Sequence, residues 1–289
     1  MSLYTERSLR FEFNNLTSNF EGTNSNKISI SNVMATVSCQ SSGNLFGTQV
    51  SVSIYGLGIE LLAALSSKAM GLYGPDTEKV SLNIYVEDVT LFAGYLTSSI
   101  PNMNSLPNTS LMITATANAD LQNKTASPFS YNGATPLTSV LTAICKNAGY
   151  SPIITGLQGK TLTNPHYSGS VFDQLEQICY DMKIAMSVMS PKISFWDAEK
   201  ERDTVIPLIS PENGLVGYPL FSNGGVMFQT QFSSLLTTGR RIQLLTSLPH
   251  ASGNYKLTNV THELSSWVED GPWHSICIAN KQINGEGNG

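Results

Sequence analysis

Between Val216 and Ala279 an apolar side chain falls at nearly every second position, in at least four runs bounded by Gly, Pro, Asn or Ser. Successive side chains leave a β-strand on opposite sides, so a spacing of two writes a strand with one buried face and one wet face. A chain patterned this way does not gather its apolar residues into one helical stripe. It closes into a small antiparallel β-barrel or sandwich, and nothing else in the sequence limits the fold as tightly.

The same device recurs early, in the runs Arg7–Phe13, Lys27–Gln40, Thr48–Gly56, Lys79–Val86, Thr90–Ile100 and Thr109–Ala117. Val50, Val52 and Ile54 alternate with Ser51, Ser53 and Tyr55, and Leu82, Ile84 and Val86 repeat the pattern. The single helical interruption puts Ile59, Leu62, Leu65 and Ala69 on one stripe, with Gly71 placed to end it. Residues 1–121 therefore predict a first antiparallel β-barrel carrying one helix.

From residue 122 the periodicity changes. Thr135-Pro136 reads as an N-cap followed by a first-turn proline, and Leu137, Val140, Leu141, Ile144 and Ala148 follow at helical spacing up to Gly149. Ser170 opens a second helix with Val171, Leu175, Ile178, Cys179 and Met182 on its apolar side. Lys183–Met189 and Lys192–Asp197 then alternate and join at Ser190-Pro191, a hairpin packed on the helices. Residues 122–205 predict a small α+β domain, and residues 206–289 a second barrel with a mobile C-terminal tail. The charged run from Asp197 to Asp203 reads as a solvated linker or strand end. No repeat is evident by inspection, although the β-character shared by the first and last thirds leaves room for a diverged duplication.

Bulk properties exclude several function classes. A length of 289 residues suits two or three domains. Charged residues are 13% of the chain, about half the roughly 25% usual in soluble domains. Ser, Thr, Asn and Gln must supply most of the wet surface, and such a surface is easily buried in an assembly. The net charge of −5 argues against a phosphate-neutralising nucleic-acid binder. The adjacent basic pair Arg240-Arg241 reads as a solvated turn rather than a phosphate site. Four cysteines, Cys39, Cys145, Cys179 and Cys277, lie far apart without a C-x-x-C, as buried thiols of a reduced compartment do. No secretory signal is expected, and the stretch 57–65 is too short and too interrupted by Glu60 for membrane insertion.

No arrangement of residues demands a particular chemistry. His262-Glu263 lacks the second histidine of the zinc-peptidase helix, and the local pattern is strand. His262 and His274 could face one another across a hairpin near Glu263, Glu269 or Asp270. Two histidines without a third ligand are more simply surface or partner-facing residues, as are His166 and His250. There is no G-x-S-x-G elbow and no phosphate loop, and Gly56-Leu57-Gly58 lacks the third glycine of a dinucleotide site. The expectation is a non-enzyme with no catalytic residue, no cofactor and no metal. Trp196, Trp267 and Trp273 admit a carbohydrate platform, but Trp267 and Trp273 flank the turn Glu269–Pro272, where aromatics commonly pin a hairpin end.

An ordered set of patterns carries a resemblance. Val52-Ser53-Ile54-Tyr55-Gly56 is followed by a short helix; Leu91-Phe92-Ala93-Gly94-Tyr95-Leu96 comes next; then the Pro136 and Ser170 helices and the hairpin to Trp196. Gly217-Tyr218-Pro219, Gly224-Gly225-Val226 and Gly253 to Leu264 lead into the Trp273 strand. Together they resemble the baseplate hub proteins of contractile-tailed bacteriophages. The resemblance implies a mainly β chain with two tube-like antiparallel β-barrel domains flanking a helix-plus-hairpin domain. It further implies a homotrimer that adapts the sixfold tail tube to a threefold central spike and lines a channel. Implied partners are the central spike protein, the tail tube protein and other baseplate proteins, with DNA passing without specific binding. The place would be the virion, after assembly in the host cytoplasm. Candidate interface residues are Arg240, Arg241, Trp267 and Trp273. The alternative is a carbohydrate-binding β-module or a tail-associated glycoside hydrolase.

Overall fold

The computed structural model of the chain describes residues 7–42, 47–66, 78–104 and 109–282. Its first segment holds β1 (Leu9–Asn15), β2 (Lys27–Ser31), β3 (Ala35–Ser42), β4 (Thr48–Tyr55), α1 (Ile59–Leu65), β5 (Val80–Val86), β6 (Val89–Asn102) and β7 (Ser110–Thr116). A helical insert follows, with α2 (Ala119–Asn123), β8 (Phe129–Ser130), β9 (Ala134–Pro136), α3 (Leu137–Asn147) and β10 (Ser151–Thr155). It continues through β11 (Thr161–Thr163), β12 (His166–Tyr167), α4 (Val171–Met182), β13 (Ile184–Met189) and β14 (Lys192–Asp197). The last segment holds β15 (Leu208–Ile209), β16 (Leu215–Ser222), β17 (Gly225–Gln231), β18 (Arg241–Leu244), β19 (Gly253–Ser266) and β20 (Trp273–Lys281).

Strands from the first and last segments form one sheet, in the order β16-β17-β20-β19-β3-β4-β7-β6-β5-β1-β2, with β18 joining the side of β19 and β15 joining β18. The mainly β class with a small α+β insert is thus as expected. Closure into barrels is not seen among the described residues, where the sheet ends freely at β16 and β2.

Two portions of this sheet share one topology. The orders β3-β4-β7-β6-β5 and β16-β17-β20-β19-β18 are the same antiparallel arrangement, strand for strand. The fourth member of each, β6 or β19, is 14 residues long. Each of these long strands carries a bulge against the last strand of its unit, between Leu96 and Ser98 in one and between Leu257 and Asn259 in the other. Aligning the ladders at the bulges matches Leu96-Thr97 with Leu257-Thr258, Ala115 with Ala279, Val50 with Val226 and Cys39 with Phe221. A bulge leaves one residue without a cross-strand partner and increases the local twist. Both units therefore bend their longest strand at the same place.

Burial follows the alternation. Val50, Val52 and Ile54 of β4 turn inward with Leu82, Ile84 and Ile113, and this core runs without a break into α3, α4 and the β13–β14 hairpin. The last segment has its own smaller core around Phe228, Ile242, Leu244, Tyr255, Leu257 and Cys277. All four cysteines are buried and unbonded, and burial pushes each thiol up to about 12.

Helix α4 begins at the expected place. The Ser170 hydroxyl accepts from the Asp173 N–H at 3.1 Å, and the Asp173 carboxylate accepts from the Ser170 N–H at 2.9 Å. This reciprocal cap satisfies two N–H groups that a helix start otherwise leaves unpaired. Helix α3 starts one residue later than the sequence suggests. Pro136 is its N-cap because Ala134–Pro136 is held as a strand against Thr161–Thr163, and the Leu137 N–H donates to the Lys160 carbonyl at 2.9 Å. On α1, Leu62 and Leu65 are buried but Ile59 is exposed, since the helix begins there and the core lies beneath its second turn. Ala69, Gly71 and the C-terminal tail lie outside the described residues.

Asp197 ends β14 and 198–200 are exposed, as a strand end leading into a solvated stretch, but 201–203 are tied down. Arg240 Nε donates to both oxygens of Asp203 at 2.9 and 3.2 Å. Arg202 lies over the Trp196 ring at 5.0 Å and donates to Thr237 Oγ1 at 3.0 Å, while Arg241 reaches Glu201 at 3.5 Å. Burial would raise the Asp203 carboxyl, but hydrogen bonds and charge from Arg240 outweigh it and hold it below the usual carboxylate range. The run ties the insert to the last segment, and that replaces the solvated-turn reading of Arg240-Arg241.

Candidate assembly interface

The two units meet along one continuous ladder. The first half of β19 pairs with β18, and its second half, Asn259 to Ser266, pairs antiparallel with β3 from Ser42 to Ala35. On the wet face of this junction the Ser38 hydroxyl donates to Glu263 Oε1 at 2.7 Å, and Asn259 Nδ2 donates to Ser42 Oγ at 3.3 Å. On the core face Cys39, opposite His262, is 2% exposed, and Val37, opposite Leu264, is also buried.

His262 was expected at the surface or facing a partner. It is 7% exposed, because β3 covers one side of its strand and the Phe232 ring meets its imidazole edge-on at 5.2 Å. Its Nδ1 shares a hydrogen bond of 2.8 Å with the Ser275 hydroxyl. Burial depresses its pKa to about 4, against a smaller opposing effect from a backbone hydrogen bond at Leu236. His262 lies opposite Ser275 and Glu263 opposite His274, so the two histidines do not face one another. Among the described residues no three His, Cys, Asp or Glu side chains come together as a metal site.

A groove of about 440 Å³ follows the wet face across β19, β3, β4, β7 and β6. Hydroxyls of Thr36, Ser38, Ser51, Ser53 and Thr114 share its lining with the apolar Ile100, Met112 and Pro272, and among the described residues Glu263 is its one ionisable group. This surface offers hydrogen bonds but no cation for a phosphate.

Both ends of the two-unit ladder present apolar side chains to solvent. On β16, Leu220 is 60% exposed and Phe221 62%. At the other end Ile100 of β6 is 57% exposed and Met112 of β7, its cross-strand partner, 49%. From Leu96 to Pro101, β6 has no strand on its β5 side among the described residues, since the β5 ladder stops at Tyr95. An exposed apolar strand edge is a template for pairing with another chain.

Of the four candidate interface residues, Arg240 and Arg241 are occupied by the acidic run. Trp273 packs edge-on against Phe232 with centroids 5.7 Å apart and lies beneath Arg7. Trp267 is exposed at the β19–β20 turn with a left-handed backbone, so the pair does flank the hairpin end as its spacing suggests. The exposed edge residues Leu220, Phe221 and Ile100 are not singled out by the sequence reading. The signal was present in Leu220-Phe221, two adjacent apolar residues in an otherwise alternating chain, which ask for cover on both faces.

A family model described as "Baseplate hub gp41" matches residues 66–273, well over half of the chain. The chain belongs to that baseplate hub family. Its role is structural, in a phage tail, and this agrees with the resemblance its motifs carry. No curated protein matches by sequence. Solved structures share the fold. The 43 kDa tail protein of prophage MuSo2 from Shewanella oneidensis has a TM-score of 0.64 at 8% identity, covering 96% of this chain and 97% of its own. A tail protein of Neisseria meningitidis MC58 also scores 0.64, at 9% identity over 94% of this chain and 96% of its own. The Escherichia coli c3393 protein scores 0.58 at 13% identity, over 87% of this chain and 74% of its own. That protein is described as a type VI secretion component structurally similar to bacteriophage T4 tail proteins gp27 and gp5.

Proposed function

We propose that the chain is a non-enzymatic, homotrimeric baseplate hub that joins a sixfold tail tube to a threefold central spike and lines the channel between them. One observation carries the reading: two units of the same strand order lie side by side in one sheet of one chain. Three such chains present six equivalent units, so a threefold particle can offer a sixfold face, and closing the ring covers the exposed β16 edge. The segments 1–121 and 206–289 then act as tube-like domains, with 122–205 inserted between them.

The wet-face groove, lined by hydroxyls and apolar side chains without a Lys or Arg, suits a wall along which DNA moves without sticking, because such a surface makes few phosphate contacts. Tail tube protein, spike protein and other baseplate proteins are the partners this geometry calls for, and exposed Trp267 is the candidate contact to one of them. The virion is the corresponding location, reached by assembly in the host cytoplasm. Symmetry-resolved imaging of intact tails tests this directly. Three copies per tail at the tube-to-spike boundary are expected; one copy, or six, overturns the trimer.

A further inference from the structure

We infer that the apolar edge of β16 pairs antiparallel with the open edge of β6 in a second copy of this chain, in the register of the internal β19–β3 junction. The inference rests on the trimeric reading above and adds which edges meet and how they align. In the bulge alignment β19 corresponds to β6 and β3 to β16. The observed pairs Thr261 with Gln40, His262 with Cys39 and Glu263 with Ser38 then become Ile100 with Ser222, Pro101 with Phe221 and Asn102 with Leu220.

The exposed residues fit this register on both faces. Phe221 lies opposite Val226, and Pro101 opposite Leu111, so both point to the core side of the sheet. Cys39, the counterpart of Phe221, is 2% exposed under β19, whereas Phe221 is 62% exposed for want of such a neighbour. Pro101 from a second copy supplies one. On the other face Leu220 comes diagonally beside Ile100, whose partner across the ladder is Met112. Diagonal and directly opposite side chains on one face are the pairs through which sheets gain stability. Pro101 has no N–H to give, and neighbouring residues of an antiparallel strand turn their N–H groups to opposite sides, so the bonds to β16 fall to the Pro101 carbonyl and to the next residue but one on either side. A shift by one residue would set Phe221, held on the core side by its pairing with Val226, against Ile100 or Asn102, whose side chains lie on the other face, which fixes the register sharply.

The test is a cross-link in assembled tails carrying the full chain with Ile100→Cys and Ser222→Cys, oxidised and run without reductant. Species of two and three linked chains are expected, and neither single variant should give them. The four native thiols are buried and should stay silent. Ile100→Cys with Phe221→Cys places the thiols on opposite faces and should not link. If the tails contain three copies but the first pair fails to link, or the second links equally, the edge assignment falls while the hub reading survives. If mass or imaging finds no three-copy assembly, the reading beneath it falls instead. Phe221→Asp gives an independent arm: its exposure leaves folding intact by circular dichroism, and loss of incorporation into tails is expected. Wild-type incorporation of that variant would overturn the pairing.

Discussion

The two five-stranded units share a strand order yet fill corresponding positions with opposite solutions. In the first unit Gly94 leaves room for the Phe92 ring; a Cβ there would meet the ring at 2.6 Å and the Ala117 Cα at 2.8 Å. Its counterpart in the second unit is Tyr255, a fully buried side chain whose hydroxyl donates to the Ala251 carbonyl at 2.8 Å. Gln49, exposed on β4, corresponds to Gly225, where a Cβ would lie 1.9 Å from the Ala279 carbonyl oxygen. Pro101 corresponds to buried His262. A topology can thus persist while the residues that pack it are exchanged, provided each site is filled once.

Exchange experiments can break or sharpen this comparison. The largest effect is expected for Gly225→Val, which forces a side chain into the backbone of β20 and should destabilise the protein by about 4 kcal/mol or more. Gln49→Val, at the matching position, should stay within about 0.5 kcal/mol. Equal thermal midpoints for the two variants would deny that the sites differ. Tyr255→Ala should cost about 3–5 kcal/mol by leaving a cavity, and Tyr255→Phe about 1 kcal/mol for the lost hydrogen bond; denaturant unfolding distinguishes them.

His262 makes the second unit pH-sensitive where Pro101 leaves the first indifferent. Its folded pKa, about 4, lies below the ordinary 6.5, so the unfolded chain takes up the proton first. The stability it contributes is complete above pH 6.5 and is lost as pH falls towards 4, at about 1.4 kcal/mol per pH unit. His262→Gln should remove that part of the slope in unfolding curves taken between pH 4 and 7. An unchanged slope would show that His262 titrates normally.

Each unit also has one ion pair just ahead of its β5 or β18 strand. Lys79 pairs with Asp120, whose side chain is 7% exposed, and Arg240 pairs with Asp203, at 32%. Asp120→Asn should therefore cost about 2 kcal/mol and Asp203→Asn about 1 kcal/mol. The reverse order, measured by thermal unfolding, would contradict the burial difference.

Alternation made most strands legible, because the period-two pattern at Val50 to Tyr55 or Leu82 to Val86 needs only local information. The Ser170 cap was legible for the same reason. The shared strand order was not, since it resides in ladders between residues far apart and in bulges at Thr97 and Thr258 that composition does not mark. His262 was misjudged because its burial depends on β3, more than 200 positions away in sequence. The anchoring of Glu201 to Asp203 was not legible because their partners, Thr237, Arg240 and Arg241, lie beyond three further strands. Local periodicity says which side of a strand is greasy; it does not say which strand will cover it.

The internal β19–β3 junction has a kinetic side. Any ring made from this chain contains two kinds of seam, one closed during folding of a single polypeptide and one that must wait for a collision. The tethered seam forms at an effective concentration set by the chain itself and is indifferent to dilution. Only the other seam is left for the cell to control, through how much of the chain is made.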